Sequence, residues 1–150
     1  MQAQMLAPAA VLVLWSLVML GWMVATRFPA MAKAGIDLGK GPPGGRGQNL
    51  DGVLPDRVNW KAHNFTHLME QPTLFYATVV ILALTGAGAL DVLLAWIYVL
   101  LRIVHSLWQA TVNRIPVRFT LFAIGTLFLL VLAVRAVMAT LLYSPVTIGG

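Results

Sequence analysis

The sequence predicts an all-α integral membrane protein that forms a single four-helix bundle. Hydrophobic residues make up 59% of the 150 residues, and the mean hydropathy is +0.83. Charged residues make up only 10% of the chain, whereas a soluble domain carries about a quarter. The apolar residues are gathered into four runs, and about 20 residues of helix cross the hydrocarbon core of a bilayer. These observations indicate that lipid is the solvent of the chain.

The four apolar runs define the expected elements of one domain over residues 1–150. A secretory signal peptide requires basic residues before its apolar run. The first run has none before it, so we interpret it as a retained membrane helix. The second run reaches a normal spanning length if its helix starts near Trp60 and Pro72 only kinks it. We expect helices over about 7–30, 60–86, 89–113 and 118–143, and a loop over about 31–59.

The basic residues predict the orientation of the bundle. The positive-inside rule places loops rich in Lys and Arg in the cytoplasm. The turn TGAGALD between the second and third helices has no basic residue, so we expect both termini outside the cytoplasm. Topology also explains the net charge of +5 without nucleic acid as a partner. Eight of the ten bases lie in the first loop or the last turn: Arg27, Lys33, Lys40, Arg46, Arg57, Lys61, Arg114 and Arg118.

The segment GKGPPGGRGQNLDG at 39–52 is rich in glycine and proline. Such a composition forms neither a helix nor a central strand. We interpret the segment as a mobile connector, with a lid over a site as the alternative. It lacks the flanking strand and helix of a phosphate-binding loop. The chain has no cysteine, which excludes disulfides, thiolate metal sites and cysteine nucleophiles.

The third helix carries a polar stripe. Tyr98, Arg102, His105, Gln109 and Asn113 follow spacings of 4, 3, 4 and 4 residues, which place them on one helical face. A face of this kind lines a bundle interior, a subunit interface or a cavity. It predicts either a ligand site or an interhelical hydrogen-bond network.

The second helix carries its own stripe of ionisable residues. His63, His67 and Glu70 lie at positions i, i+4 and i+7, again on one face. A divalent metal held by these side chains, with His105 as a further ligand, is one alternative. The stripe stands at the mouth of a membrane helix, where we expect a buried site to open.

Two ion pairs are expected from depth in the bilayer. At 1.5 Å per residue, Glu70 and Arg102 lie at a similar level on antiparallel helices. An isolated charge there would cost about 2.5–3.5 kcal/mol or more, so we expect the two to pair. Asp91 and Arg135 share a level near the opposite interface. We expect Arg135 to pair with Asp91 or to extend its guanidinium to the interface.

The layout of the helices, the polar start of the second helix and RIVHSLWQATVNRIPVRF at 102–119 together resemble the MAPEG family. These are the membrane-associated proteins of eicosanoid and glutathione metabolism. The most specific part of the resemblance matches the prostaglandin E synthase branch. The chain looks like a bacterial-type member, so we expect a bacterial inner membrane. The residues that carry this part are Arg102, His105, Arg114, Pro116 and Arg118.

The resemblance implies a homotrimer that binds glutathione between adjacent subunits, towards the cytoplasmic side. It implies a glutathione-dependent transferase or peroxidase whose second substrate is a lipophilic electrophile delivered by membrane lipid. The family's arginine at the position of Arg118 stabilises the glutathione thiolate, so Arg118 is the expected catalytic residue. The residues expected to bind glutathione are His63, His67, Glu70, Arg102, His105, Gln109 and Arg114. None is assigned to a metal.

The chain also departs from the family pattern. Glutathione-active members have Arg and Asn where this chain has His63 and His67, aligned on Glu70, and a tyrosine where it has Gln109. Because a fold can keep its scaffold and change its site, a non-catalytic role is the first alternative. It would be a membrane scaffold, an accessory subunit of a larger membrane complex or a lipid-binding module. The metal site described above is the second alternative.

Overall fold

The structure is a computed structural model that describes residues 1–142 of the chain. No β-strand is present among these residues, and the predicted all-α class is confirmed. Two short 3-10 turns, Leu38–Lys40 and Gly47–Leu50, lie in the connection between the first two helices. The predicted end of the last helix at residue 143 lies outside the described residues. The α-helices are α1 (Gln2–Lys33), α2 (Asp56–Leu68), α3 (Gln71–Thr85), α4 (Ala89–Thr111) and α5 (Ile115–Leu141).

Four helical segments of the described chain are long and apolar enough to cross a membrane: α1, α2 together with α3, α4 and α5. Large apolar side chains such as Leu14, Leu74 and Leu127 are exposed along them. Exposed apolar side chains at this density belong in hydrocarbon or against another subunit. The four membrane helices predicted from the sequence are confirmed.

The second spanning segment differs from the single helix predicted over 60–86. It begins at Asp56 and is divided into α2 and α3 by Met69 and Glu70. Pro72 has no N–H to donate to the carbonyl of Leu68, and its ring occupies the space that this carbonyl needs. In the first turn of α3, where no helical N–H donor is required, the proline is well placed. Pro72 therefore interrupts the helix instead of only kinking it.

The core is built around α4, which contacts α1, α2 and α5, while α3 packs on α1 and α5. The ring of Tyr98 on α4 stacks on Phe75 of α3 with 4.4 Å between centroids. Leu12 from α1 and Leu132 from α5 are completely buried in the same cluster. The polar stripe of α4 continues this buried face towards the helix end at Thr111, so the helix packing carries polar groups into the interior.

The turn between α3 and α4 is held by one buried carboxylate. Gly86 ends α3 with φ of 103°, a conformation that glycine adopts without steric strain. Asp91 is 3% exposed, and its Oδ2 accepts a hydrogen bond of 2.8 Å from the Gly88 N–H. The same carboxylate is paired with the guanidinium of Arg135 on α5. The predicted pairing of Arg135 with Asp91 is confirmed.

The connection between α1 and α2 is anchored to both helices. Arg27 Nη2 donates to the Gly47 carbonyl at 2.6 Å. The buried Asn59 amide donates to the carbonyls of Leu50 and Leu54, each at 3.2 Å. A Cβ added to Gly47 would lie 2.9 Å from a guanidinium nitrogen of Arg27, so glycine permits this close approach. These contacts hold the connection against both helices, while its interpretation as a mobile connector or a lid stays a prediction.

Candidate functional site

A polar cleft of about 340 Å³ opens where the α1–α2 connection meets the ends of α2 and α4 and the start of α5. Four separate parts of the chain supply its walls. Their side chains include acids, a guanidinium, imidazoles and neutral hydrogen-bonding groups. This polar cleft is lined by Gln48, Asp51, His63, Thr66, His67, Glu70, Gln109 and Arg118.

The local structure explains why the α2 side chains converge. His63 and His67 are one helical turn apart, so both imidazoles emerge on the same face. Glu70 lies just beyond the end of α2, where the break lets the chain turn its carboxylate back towards that face. His67 Nδ1 and Glu70 Oε2 are 2.8 Å apart, and His63 Nε2 and Asp51 Oδ1 are 2.9 Å apart. Each imidazole therefore has its own carboxylate partner.

Arg118 is the cation of the polar cleft. It lies in the first turn of α5, and its Nη1 donates to Asn113 Oδ1 at 2.7 Å. Asn113 has φ of 53°, a left-handed conformation that asparagine tolerates better than most residues. The turn between α4 and α5 thus fixes one edge of the guanidinium. The fork has five N–H donors, so further donors remain for a ligand.

Arg102 and His105 lie beneath the polar cleft. Arg102 is 1% exposed, and its Nη2 donates to the His67 carbonyl at 2.9 Å. The last carbonyls of a helix lack helical donors, and a cation at that end also favours the helix dipole. The expected Glu70–Arg102 pair is wrong, because Arg102 binds this carbonyl and Glu70 pairs with His67.

Several buried polar atoms near this end of the bundle have no hydrogen-bond partner within the described residues. They include Nε and Nη1 of Arg102, Nδ1 of His105, Oε1 of Gln109 and both amide atoms of Asn64. Most buried polar atoms in proteins have a partner. The site therefore holds unused hydrogen-bonding capacity on α2 and α4.

The comparison with protein families decides the identity of this fold. The sequence model of the MAPEG family matches residues 5–138. The chain belongs to the MAPEG family. The match includes every residue that lines the polar cleft. No curated protein and no solved structure matches the chain. As a MAPEG protein with four spanning segments, it is an integral multi-pass membrane protein.

This MAPEG protein brings most of the predicted site residues together. Five line the polar cleft: His63, His67, Glu70, Gln109 and Arg118. Arg102 and His105 form the layer beneath it, and the His105 ring lies 5.1 Å from the His67 ring between centroids. Arg114 is exposed and outside the lining, and its backbone carbonyl accepts a hydrogen bond from Trp108 Nε1.

Three lining residues were missed by the sequence analysis. Gln48 and Asp51 come from the α1–α2 connection, and Thr66 comes from α2. No periodic pattern exists in the connection to indicate which side chains face the bundle. The one available signal was Asp51, the acid within the glycine- and proline-rich segment 39–52.

The metal alternative finds no support in the geometry of residues 1–142. No group of three or more His, Cys, Asp or Glu side chains in this range is placed to hold a metal ion. His63 and His67 are directed to separate carboxylates, Asp51 and Glu70. The spacing of the two histidines on one face therefore does not produce a shared ligand set.

Proposed function

We propose that this MAPEG protein is a glutathione-dependent transferase or peroxidase that acts on lipophilic electrophiles, with glutathione in the polar cleft. The observation that carries the proposal is the convergence of Arg118 with Asp51 and Glu70 in one cleft. Glutathione has two carboxylates and one ammonium group at neutral pH, so it needs partners of both signs. The volume of about 340 Å³ suits a small-molecule site.

The residues of the polar cleft have distinct roles in this proposal. Glutathione supplies the thiol that becomes the nucleophile. Arg118 holds the thiolate by a charge-assisted hydrogen bond, and Asn113 keeps its guanidinium in place. Glu70 and Asp51 bind the ammonium group. A bound anion also offsets the unfavourable position of Arg118 at the positive end of the α5 dipole.

The other predicted residues support the same site. His63, His67 and Gln109 donate or accept hydrogen bonds along the peptide backbone of the ligand. Arg102 and His105 hold the floor, since Arg102 fixes the end of α2 through the His67 carbonyl. Arg114, exposed at the rim, attracts the anionic ligand by its charge.

We also infer the setting of the site. The polar cleft faces the cytoplasm of a bacterial inner membrane, and both termini lie outside. The protein is a homotrimer in which a neighbouring subunit completes the open side of the cleft. The apolar side chains exposed on α1 and α5 suit both lipid and subunit contacts. The bilayer delivers the lipophilic electrophile to this interface.

Calorimetry with glutathione on detergent-purified protein tests the proposal. We expect saturable binding by the wild type that is weakened about thirtyfold in Arg118→Ala, which corresponds to the ~2 kcal/mol of a hydrogen bond to a charged group. Glu70→Gln should also weaken binding. Arg57→Ala removes an exposed base outside the polar cleft and should have no effect. No binding up to millimolar glutathione by an intact oligomer would contradict the proposal.

A second candidate function is a non-catalytic one, as a membrane scaffold, an accessory subunit of a larger complex or a lipid-binding module. The two imidazole–carboxylate contacts favour it. His63 and His67 engage the carboxylates of Asp51 and Glu70, which the ligand's ammonium group would otherwise use. The same calorimetry separates the two candidates, because a scaffold keeps its oligomeric state without binding glutathione.

A further inference from the structure

A second cavity, which we term the apolar chamber, lies between the last turns of α1 and the α1–α2 connection. Its volume is about 880 Å³, more than twice that of the polar cleft. Most of its wall consists of apolar side-chain surface. α1 forms one side, and the 3-10 turns of the connection form the other. The side chains that supply the apolar wall include Met23, Phe28, Met31, Ile36, Leu38 and Leu50.

A third, smaller cavity, which we term the junction, lies between the apolar chamber and the polar cleft and shares lining residues with each. This junction has a volume of about 340 Å³. Arg27 and Arg46 line both the junction and the apolar chamber, while Asp51 and His63 line both the junction and the polar cleft. A ligand in the apolar chamber would therefore lie one small cavity away from the cleft that holds Arg118.

The charges at the junction are predominantly positive on the chamber side. Arg27 binds the Gly47 carbonyl through Nη2, and its buried Nε has no partner within the described residues. Arg46 is exposed and adds a second guanidinium. Asp37, the acid that lines the chamber, lies 3.7 Å from the ammonium group of Lys40. The chamber thus combines a long apolar wall with two cations at one end.

We propose that the apolar chamber binds the lipophilic co-substrate, an amphiphile with a long apolar body and a single anionic group held by Arg27 and Arg46. Its role as co-substrate rests on the proposed function, whereas its binding does not require glutathione. The chamber lies at the basic end of α1, at the level where the head of an anionic amphiphile meets the aqueous side. Its position next to the junction, with Arg27 and Arg46 lining both cavities, distinguishes it from an ordinary lipid-facing groove.

Binding of oleate to the full-length protein in phosphatidylcholine nanodiscs, without glutathione, tests the charge requirement. Arg46→Gln should weaken oleate binding about tenfold, the factor that ~1.4 kcal/mol corresponds to. It should leave binding of oleyl alcohol, which has the same apolar body and no charge, unchanged. Arg57→Gln, which removes an exposed base that lines none of the three cavities, should change neither.

A second pair of variants tests the apolar wall. Leu38→Asn, in the apolar chamber, should weaken the binding of oleate and the binding of oleyl alcohol by a similar factor. Val53→Asn replaces an exposed apolar residue of the same connection that lies outside the chamber and should weaken neither. A fatty acid with a diazirine on its chain should label the segments 23–31 and 36–50.

Three outcomes would overturn the proposal. One is equal oleate affinity in Arg46→Gln and the wild type. Another is labelling confined to the lipid-facing sides of α3 and α5. The third is loss of oleate binding when phosphatidylglycerol is added to the nanodisc, because a bilayer lipid would then be the occupant. If the protein binds oleate but no glutathione, the proposed amphiphile site stands and the proposed enzyme is rejected. The failures of the two proposals are therefore distinguishable.

Discussion

The two ends of the bundle treat buried polar groups in opposite ways. At the turn end, around Gly86–Gly88, the carboxylate of Asp91 accepts from Gly88 and pairs with Arg135. At the loop end, around the α1–α2 connection, Asn64 is 1% exposed and neither amide atom has a partner among the described residues. Both ends carry charged or polar groups at the limits of apolar helices, but the loop end leaves several buried polar atoms without a partner among the described residues.

This difference separates structural polar groups from those available for binding. A buried charge that is fully paired fixes the packing of its helices and offers nothing to a ligand. Unpartnered buried donors and acceptors destabilise the fold, and such groups are typical of sites that bind something else. The loop end also holds the polar cleft and the apolar chamber, in agreement with this distinction.

The largest expected effect comes from breaking the ion pair between Asp91 and Arg135 at the turn end. Arg135→Leu leaves the buried Asp91 carboxylate without its cation, and we expect a loss of about 3 kcal/mol in the free energy of unfolding. Unfolding in mixed micelles of dodecyl sulfate measures this loss. Arg135→Lys, which keeps the charge, should lose less. Glutathione and oleate binding should be unchanged at temperatures where the variant is folded. A loss of binding in the folded variant would contradict the separation of the two ends.

A smaller effect of opposite sign is expected at the loop end. Asn64→Leu replaces two unpartnered polar atoms by methyl groups on a side chain of the same branched shape, and we expect a gain of about 1 kcal/mol in the free energy of unfolding. The same unfolding assay measures it. Asn59→Leu is the matched control, because Asn59 donates to Leu50 and Leu54 and its loss should destabilise. A destabilised Asn64→Leu would show that the amide has a partner in the membrane, such as a neighbouring subunit.

The smallest effect concerns the site itself. His67→Asn removes the contact with Glu70 and leaves that carboxylate available to the ammonium group of glutathione. We expect glutathione affinity to rise about threefold, or ~0.7 kcal/mol, in the calorimetric assay. Removing Glu70 as well should abolish the gain. Unchanged or weaker binding in the single variant would show that the imidazole's own hydrogen bond to the ligand outweighs the gain from the freed carboxylate.

The turn end was largely predictable from the sequence. Lengths of apolar runs predicted the four spans, and a rise of 1.5 Å per residue placed Asp91 and Arg135 at one level. Both inferences depend on regular helices, whose geometry is the same in every protein. The pairing partner was predictable because few other charges lie at that depth.

The loop end was predicted less well, because its geometry depends on irregular backbone. The effect of Pro72 depends on whether other groups can satisfy the carbonyls at the break that it causes, and Arg102 binds one of them, that of His67, from another helix. The break displaced Glu70 from the helical stripe and removed the expected pair with Arg102. Gln48 and Asp51 reach the polar cleft through the fold of the connection, whose path is set by Arg27 and Asn59.

The break between α2 and α3 also affects how the protein enters the bilayer. α3 has 15 residues and spans about 22 Å, short of the ~30 Å hydrocarbon core. It is joined to α4 by the short turn at Gly86–Gly88, so the two are suited to partition as one helical hairpin during synthesis. α2 carries Asp56, Arg57 and Lys61, which oppose partitioning into lipid. We therefore expect α2 to pack beside α1 and α4 after the hairpin has partitioned, and the polar cleft to be completed at that step.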